Sequence, residues 1–407
     1  MARVLFADEA RSGPFRGLFP VRPLERLLFG GFTFEERWRL VLFDAGFDTS
    51  ESECVLFVNR LSIPEPSLAE TIRTNGDRPR AWTHGGRILA VLADSKRAAG
   101  GGDDPLLDDL RGDLPASEGS GAIVENPWDL VAGNARRIGE DGSLLDACRR
   151  RPDLDCFTYA PASGGDLPDA RVLGQAGVFL GKDAAIEPFV LLDAKGGPVR
   201  IGERAAIEAH AVLRGPLWIR PDARIKSGSR IGPGTTIGEG SRAAGEVEET
   251  VFGAFSNKQH EGFLGHAYVG EWVNLGAGTN NSDLKNNYGT IRVDWGEGSV
   301  DTGLRKLGCF IGDHVKSAIG TRIGTGAVVG AASNLFGERG LVGGYVPPFT
   351  WGEGNALYDF DRAVETMKRA RERRRGELER AGRPAAREGG ELSRLRALWE
   401  GRKGRWS

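Results

Sequence analysis

The sequence predicts three consecutive parts: an α/β domain, a parallel β-helix of hexapeptide repeats, and a charged helical segment at the C-terminus. Three observations lead to this prediction. Aliphatic residues recur every six positions through the middle of the chain, short apolar runs alternate with helical patterns before it, and Arg and Glu crowd the end. The three parts are expected at residues 1–165, 171–346 and 355–403.

The repeat in the middle region has a step of six residues. Neither the 3.6-residue period of an α-helix nor the two-residue alternation of a strand produces such a step. A chain that runs straight, turns by about 120° and runs straight again directs every sixth side chain to the axis of a triangular prism. The aliphatic members of the repeat are Leu180, Ile186, Leu192, then, after a loop at residues 196–198, Ile201, Ile207, Leu213, Ile219, Ile225, Ile231 and Ile237. Several are followed by glycine, which suits a tight corner: Gly202, Gly232 and Gly238.

The repeat continues beyond this first run and is interrupted once. Its later members are Phe263, Val269, Leu275, Ile311, Ser317, Ile323, Val329 and Leu335, of which only Ser317 is polar. Residues 280–307 do not follow the repeat. Because a solenoid carries its insertions on loops, and loops often carry function, this insertion is a candidate for the functional site.

The N-terminal region reads as α/β. Its predicted elements are strands at residues 4–6 and 54–59, a hairpin at 82–93, and helices at 34–40 and 127–137. A Gly- and Asp-rich stretch at residues 98–121 is predicted to be a loop, and residues 161–169 have the composition of a linker.

The C-terminal segment is predicted to form helices that cap the end of the solenoid. Arg and Glu alternate through residues 367–380, and a break at residues 382–390 precedes a last helix. The interleaved acids Glu372, Glu377 and Glu379 offset the arginines, so a nucleic-acid-binding arm is not expected.

The composition of the chain argues against several classes of function, namely nucleic-acid binding, membrane insertion and metal binding by cysteine. The chain has 407 residues, 60 of them glycine, and a formal net charge of -2, which favours neither nucleic acid nor an anionic membrane surface as a partner. No apolar stretch approaches the roughly 18 residues that a membrane span needs. The scattered cysteines Cys54, Cys148, Cys156 and Cys309 lack metal-ligand spacing and suit free thiols, so we expect a cytoplasmic protein without a metal site.

The densest set of polar residues lies at residues 256–289, SNKQHEGFLGHAYVGEWVNLGAGTNNSDLKNNYG. Within it the pattern H-x-x-[FY]-L-G-x-x-x-[IV]-G-x-x-[VI]-N-[IL]-G-A-G-T begins at His260, and Asn287-Tyr288-Gly289 follows. This pattern resembles the acetyltransferase domain of the bifunctional N-acetylglucosamine-1-phosphate uridyltransferase/glucosamine-1-phosphate acetyltransferase (GlmU-like) family. The strings SNKQH, GEWVNLGAGT and NSDLKN are similar to its sugar nucleotidyltransferase branch. The likeness extends to the N-terminal region through Arg22-Pro23, Thr33, Glu36-Arg37-Trp38 and residues 127–130.

The resemblance implies a left-handed β-helix that works as a homotrimer, and it implies a role for each matching residue. His260 would be the general base, because an imidazole has a pKa near the working pH. Asn274 and Asn287 would hold sugar hydroxyls, Tyr288 would orient the ligand, and Arg305 or Lys306 would meet a phosphate. Backbone amides would line a groove for the pantetheine arm of coenzyme A, at Ala318, Val329, Gly330 and Ala331. His266 and His314 have no such support.

The chain also departs from the family pattern. Glu248-Glu249 stands where the family has a lysine pair, and Phe263 replaces a tyrosine. The N-terminal region lacks the Gly-rich loop of a uridyltransferase, so that domain resembles a degenerate nucleotidyltransferase. Arg22 is its candidate phosphate-binding residue, and Asp44 or Asp94 is a candidate ligand for Mg²⁺.

Three functions follow as hypotheses. In the first, the β-helix moves an acyl group from acetyl-CoA to the amine of a phosphorylated or nucleotide-linked sugar. In the second, the N-terminal domain transfers a nucleotide onto a sugar 1-phosphate with Mg²⁺. In the third, the chain binds a sugar nucleotide without catalysis.

Overall fold

The computed structural model describes residues 4–8, 15, 18–47, 54–100, 106–149, 159–337, 340–353, 356–383 and 389–406. It consists of an N-terminal α/β domain, a long parallel β-solenoid and C-terminal helices, as the sequence predicts. Among the described residues, no helix is long and apolar enough to cross a membrane.

The N-terminal domain is built on a five-stranded mixed sheet. The parallel pair Val4–Ala7 and Cys54–Asn59 lies beside the antiparallel hairpin Arg87–Asp94 and Arg80–His84, and Ala116–Glu118 forms the far edge. Shorter strands pair separately at Leu28–Phe29 with Phe32–Thr33, and Ser62–Pro64 with Gly121–Ile123. The helices are Leu24–Arg26 (3-10), Phe34–Asp44, Pro66–Asn75, Ser95–Gly100, Leu107–Arg111, Asp129–Ala132, Asn134–Glu140 and Gly142–Arg149.

The predicted strands, hairpin and helices of this domain are present, but the loop prediction at residues 98–121 is wrong in part. Residues 101–105 lie outside the described residues, whereas Leu107–Arg111 is a helix and Ala116–Glu118 is a strand. Leu107 and Leu110 are buried against the sheet, so two apolar side chains outweigh the loop-like composition around them.

The solenoid is a three-sided prism whose faces we number in the order the chain visits them. Face 1 contains Tyr159–Ala162, Val178–Gly181, Val199–Ile201, Leu217–Ile219, Thr235–Ile237, Val251–Phe252, Tyr268–Val269, Phe310–Ile311, Val328–Val329 and Tyr345–Val346. Face 2 contains Ala185–Ile186, Ala206–Ile207, Arg224–Ile225, Arg242–Ala243, Asn257–Lys258, Lys316–Ser317, Asn334–Leu335, Thr350–Trp351 and Ala356–Leu357. Face 3 contains Arg171–Leu173, Leu191–Asp193, Val212–Arg214, Arg230–Ile231, Glu246–Glu248, Phe263–Gly265, Asn280–Asn281 and Arg322–Ile323.

The six-residue repeat forms the core of the prism. The seven members from Ile201 to Ile237 are each no more than 1% exposed. Gly202 and Gly238 lie at corners where only glycine fits, because a Cβ at either position would lie 2.6 Å from the backbone of the next coil. The repeat prediction is wrong at Phe263, which is only partly buried, while Leu264 fills the core in its place. Leu264 and Val269 are five residues apart, one fewer than the six-residue step, so the positions that face the core shift by one residue here.

Three corners separate the faces. The tail corner joins faces 1 and 2, the His260 corner joins faces 2 and 3, and the insert corner joins faces 3 and 1. The insertion leaves the coil at the insert corner and contains the hairpin Arg292–Asp294 and Ser299–Asp301. Its Trp295 stacks on Trp128 of the N-terminal domain, with ring centroids 5.9 Å apart.

The N-terminal domain packs on face 1, whose outward side chains include several large aromatic rings. Phe32 contacts Trp218 edge-on with centroids 5.3 Å apart, and Phe19 contacts Tyr268 at 4.9 Å. Trp218 and Tyr268 are fully buried by this packing. Burial of aromatic rings at this scale makes the domain and the solenoid a continuous structure.

The C-terminal helices are Phe360–Arg373, Arg375–Arg380 and Gly389–Trp406. They pack on the last coils, and they also run back along the tail corner, which the sequence did not predict. Arg374 donates to the carbonyl of Gly240, and Arg380 bonds Asp222, both several coils below the end. Leu378 covers Phe255 and Trp272 there, so the helices bury apolar rings that the corner would otherwise expose.

Candidate active site on the β-helix

His260 lies at the His260 corner, two residues beyond the strand Asn257–Lys258. It is exposed, and among the described residues its imidazole has no hydrogen bond or ion pair. An exposed imidazole without a fixed partner is free to take a proton from a ligand. The structure therefore leaves His260 available for the base role that the sequence gives it.

The backbone that carries His260 is held by Lys258. The Lys258 ammonium donates to the carbonyl oxygens of Ala244 at 3.1 Å, His260 at 3.0 Å and Gly262 at 2.6 Å. Lys258 is 1% exposed, and burial lowers its pKa to about 8. This lysine was not singled out from the sequence, yet it fixes the loop on which the candidate base stands.

Asn274 lies beside this corner, in a polar row along face 2. Asn257, Asn274 and Lys316 are bridged one above the other on successive coils. Asn257 accepts a hydrogen bond from Arg374 of the C-terminal helices at 2.7 Å, whereas Asn274 is exposed. The amide of Asn274 is thus open to a ligand that approaches His260 from face 2.

The four other predicted substrate-binding residues lie on the insertion. Asn287, Tyr288, Arg305 and Lys306 are exposed, and the Tyr288 ring is 68% exposed. The Asn287 side chain accepts from the amide of Gly289 at 3.1 Å. The insertion starts at the edge of face 3 opposite to the edge that carries His260. Within one chain, His260 therefore lies near Asn274, whereas the four insertion residues form a separate group on the other side of face 3.

The predicted coenzyme A groove is occupied by contacts of the coil itself. The amide of Ala318 donates to Leu335 at 2.7 Å, and the amide of Gly330 donates to Val346 at 2.8 Å. Val329 is in the prism core, and Ala331 packs with Phe349 under the C-terminal helices. A pantetheine arm here would need hydrogen-bond donors other than the amides of Ala318 and Gly330.

Arg22 faces carboxylates. Its Nε donates to Asp313 Oδ2 at 3.1 Å, a second guanidinium nitrogen also bonds Asp313, and Glu271 lies 3.7 Å away. Burial alone would lower the pKa of Arg22, but Asp313 and Glu271 raise it above its ordinary value. Arg22 lines a cavity of about 460 Å³ between the N-terminal domain, the tail corner and the C-terminal helices. A phosphate would have to compete with Asp313 for this guanidinium.

The two aspartates proposed for Mg²⁺ belong to no group that could hold a metal among the described residues. Asp44 is exposed at the end of a helix. Asp94 accepts from the amide of Arg97 at 2.8 Å at the start of the next helix. In the described part of the chain, neither position resembles a preformed metal centre.

The structure brings together three side chains that sequence reasoning missed: Glu248, His266 and Asp283. The Nδ1 of His266 is 2.8 Å from Oδ2 of Asp283, and Glu248 offers an oxygen in the same space. The hydrogen bond with His266 lowers the pKa of Asp283. The three residues are spaced about one coil apart in the sequence. That spacing could have indicated that they stack on successive coils.

Comparison with known proteins matches residues 3–150 to the family model described as sugar nucleotidyl transferase. A bifunctional sugar-1-phosphate nucleotidylyltransferase/acetyltransferase from Sulfurisphaera tokodaii is 32% identical over 150 residues, covering 32% of this chain and 37% of the relative. The bifunctional protein GlmU of Alkalilimnicola ehrlichii is 30% identical over 217 residues, covering 53% and 42%. The chain thus matches less than half the length of these relatives.

Among solved structures, the chain is similar to the UDP-N-acetylglucosamine acyltransferase of Francisella novicida. That likeness has 14% identity and a TM-score of 0.18, and it covers 55% of this chain and 87% of that protein. A second, the same kind of acyltransferase from Bacteroides fragilis, has 15% identity and a TM-score of 0.21, with 56% and 94% coverage.

Proposed function

We propose, for a chain that belongs to the GlmU-like family, that its β-helix transfers an acyl group from acetyl-CoA to the amine of a phosphorylated or nucleotide-linked sugar. The observation that carries the proposal is His260, an exposed imidazole without a side-chain partner in the described structure, on a loop held by a buried lysine. The imidazole is thus accessible to a ligand, while the backbone that carries it is held in place.

The reaction follows from the chemistry of the groups. The sugar amine attacks the thioester carbon while His260 removes a proton from the attacking nitrogen. The tetrahedral intermediate then breaks its carbon–sulfur bond, and the thiolate of coenzyme A leaves and takes up a proton. Most of the acceleration would come from holding amine and thioester together, to which general-base catalysis adds about 10²–10⁴-fold.

The acceptor site would be assembled from the two groups of residues described above. Asn274 would bind a sugar hydroxyl near His260, and Asn287 and Tyr288 would contact the sugar from the insertion. Arg305 and Lys306 are exposed cations that suit a phosphate. Because face 3 separates the two groups in one chain, we expect neighbouring chains of a homotrimer to complete the site between them.

The acyl donor would lie along the later coils of the prism, near Ala318. Ile319 is 80% exposed beside Ala318 and offers an apolar surface to the pantetheine arm. The amides of Ala318 and Gly330 are used by the coil, so side chains rather than these amides would hold the cofactor. Arg322, exposed on the same coil, suits its phosphates.

The test is a turnover assay read by mass spectrometry. Purified protein is incubated with acetyl-CoA and a panel of amino-sugar 1-phosphates and nucleotide-linked amino sugars. We expect an acetylated product that falls at least 100-fold in His260→Ala. The matched control is His210→Ala, because His210 is an exposed histidine at the same corner of an earlier coil. Equal turnover in His260→Ala and the parent protein would reject His260 as the base.

A second candidate is nucleotidyl transfer by the N-terminal domain, and the family-model match over residues 3–150 favours it. It predicts that a nucleoside triphosphate, Mg²⁺ and a sugar 1-phosphate yield pyrophosphate, with the same yield in His260→Ala. The absence of a Gly-rich loop from the sequence and the pairing of Arg22 with Asp313 weigh against it. Binding of a sugar nucleotide without either product would favour the third hypothesis, a binding protein.

A further inference from the structure

Three side chains with metal-ligand chemistry converge at the insert corner from three consecutive coils. Glu248 ends a strand of face 3, His266 follows the next strand, and Asp283 begins the insertion. Each offers a ligand atom, and these atoms all lie within 4.8 Å of one another. The backbone fixes the stack, because the His266 amide donates to the main-chain carbonyl of Glu248 at 3.1 Å and the Leu307 amide donates to that of Asp283 at 2.9 Å.

The charge at this corner is unbalanced. Glu248 and Asp283 bring two carboxylates to the imidazole of His266, Glu249 follows Glu248 along the chain, and Lys306 is a further cation near this group. Within the described structure, the Glu248 carboxylate forms no hydrogen bond or ion pair. Two carboxylates this close repel one another, and a bound cation would offset that repulsion.

We propose that Glu248, His266 and Asp283 bind a divalent transition-metal ion, with Zn²⁺ as the best fit. One imidazole and two carboxylates form a mixed nitrogen and oxygen set that suits such ions better than Ca²⁺ or Mg²⁺, which take oxygen ligands. Bonds of about 2.0–2.2 Å to a tetrahedral ion place ligand atoms roughly 3.4 Å apart. The observed spacing therefore needs only small side-chain shifts.

Metal binding would act on the insertion. Asp283 is where the insertion leaves the coil, and Leu284 bridges Lys306 where it returns. An ion shared by Asp283 with His266 and Glu248 would join the base of the insertion to the two coils below it. All three ligands are half-buried, so water would complete the coordination. This site is independent of the acyl-transfer proposal and does not require it.

The experiment is isothermal titration of the full, tag-free and metal-stripped chain with Zn²⁺. We expect one ion per chain with a dissociation constant in the micromolar range or below, and at least 10-fold weaker binding in Glu248→Gln and His266→Ala. The matched control is Glu246→Gln, two residues earlier on the same strand, whose carboxylate already bonds Arg230 at 2.6 Å. A second titration with Mn²⁺ excludes binding through cysteine thiols, which prefer softer ions.

The outcomes separate cleanly. Absence of Zn²⁺ binding by the parent chain at about 100 μM, far above the micromolar dissociation constant expected, overturns the proposal. So does binding that is unchanged in both Glu248→Gln and His266→Ala, because the ion would then sit elsewhere. If His266→Ala fails to fold by circular dichroism, Asp283→Asn takes its place. A rise in melting temperature with Zn²⁺ that is absent in Glu248→Gln supports the proposal without any activity assay.

Discussion

The ammonium group of Lys258 donates a hydrogen bond to the main-chain carbonyl of His260 at 3.0 Å. Lys258 pairs in register with Ala243, which belongs to the prism core, so a lysine occupies a position where the repeat normally places an apolar side chain. A buried ammonium is costly unless its protons are used, and here three carbonyl oxygens accept them. The position of the candidate base thus depends on a charge buried beneath it.

Replacing Lys258 with Met should destabilise the chain and weaken acyl transfer. The change keeps much of the side-chain volume but leaves the carbonyls of Ala244, His260 and Gly262 without their donor, at about 1 kcal/mol or more each. Chemical denaturation and the turnover assay measure the two effects. Lys226→Met is the control, since Lys226 is only partly buried and pairs with Glu208. Equal stability of the two variants would show that the hydrogen bonds from Lys258 to the three carbonyls do not stabilise the fold.

The same lysine should make stability depend on pH in the alkaline range. Burial lowers the pKa of Lys258 from 10.5 to about 8, so between these values the unfolded chain binds more protons than the folded one. Stability contributed by this group therefore rises as pH increases from about 8 to 10.5. We expect the difference in unfolding free energy between the parent and Lys258→Met to change over that range. A constant difference would show that Lys258 titrates normally.

The junction between the N-terminal domain and face 1 should be sensitive to acid. Arg220 Nη2 bonds Glu36 Oε1 at 2.7 Å, and Arg220 also donates to the carbonyl of Gly31 at 2.8 Å. Burial would raise the pKa of Glu36, but Arg220 lowers it to about 2. The stabilisation is complete above pH 4.5 and is lost as pH falls toward 2.

Arg220→Met tests this junction. We expect thermal unfolding of the variant to lose part of the acid dependence that the parent shows between pH 4.5 and 2. Arg230→Met is a suitable control, because Arg230 pairs with Glu246 on the surface of face 3 and away from the junction. Identical pH profiles for parent and Arg220→Met would mean that Glu36 does not couple the two parts.

The sequence was sufficient for the regular part of the fold and insufficient where the repeat changes length. Every aliphatic from Ile201 to Ile237 is in the core, because period and burial coincide there. Phe263 was misplaced by one position because one coil is short, and a slip of one residue turns a side chain to the other side of a strand. A polar residue in an apolar register, such as Lys258, has no signature in a hydrophobicity pattern.

The candidate site divides in the same way. His260 and Asn274 could be found because they belong to a local motif, and their exposure agrees with the use proposed for them. The pairing of Arg22 with Asp313 joins residues 291 positions apart, and no local pattern predicts such a contact. The group of Glu248, His266 and Asp283 needs both the length of a coil and the face of each residue to be known.

Ile219→Asp should unfold the protein or lower its melting temperature sharply. Ile219 is fully buried in the prism core, and an unpaired carboxylate there costs several kcal/mol. Val300→Asp is the control, because Val300 is 42% exposed on the insertion hairpin. Similar melting temperatures for the two variants would mean that the register of the repeat is wrong.

Leu378→Ala should release the C-terminal helices from the tail corner while the prism stays folded. Leu378 is fully buried against Phe255 and Trp272, and removing its branched end leaves a cavity worth about 2–5 kcal/mol. The loss of stability should be confined to the helices, because they pack on the corner and contribute no strand to the sheets of the solenoid. Hydrogen exchange should therefore quicken in residues 360–380 and stay unchanged at Ile219. Leu392→Ala, at a position 38% exposed on the last helix, should leave exchange unchanged in both regions. Faster exchange across the whole prism would show instead that the helices and the coils unfold as one unit.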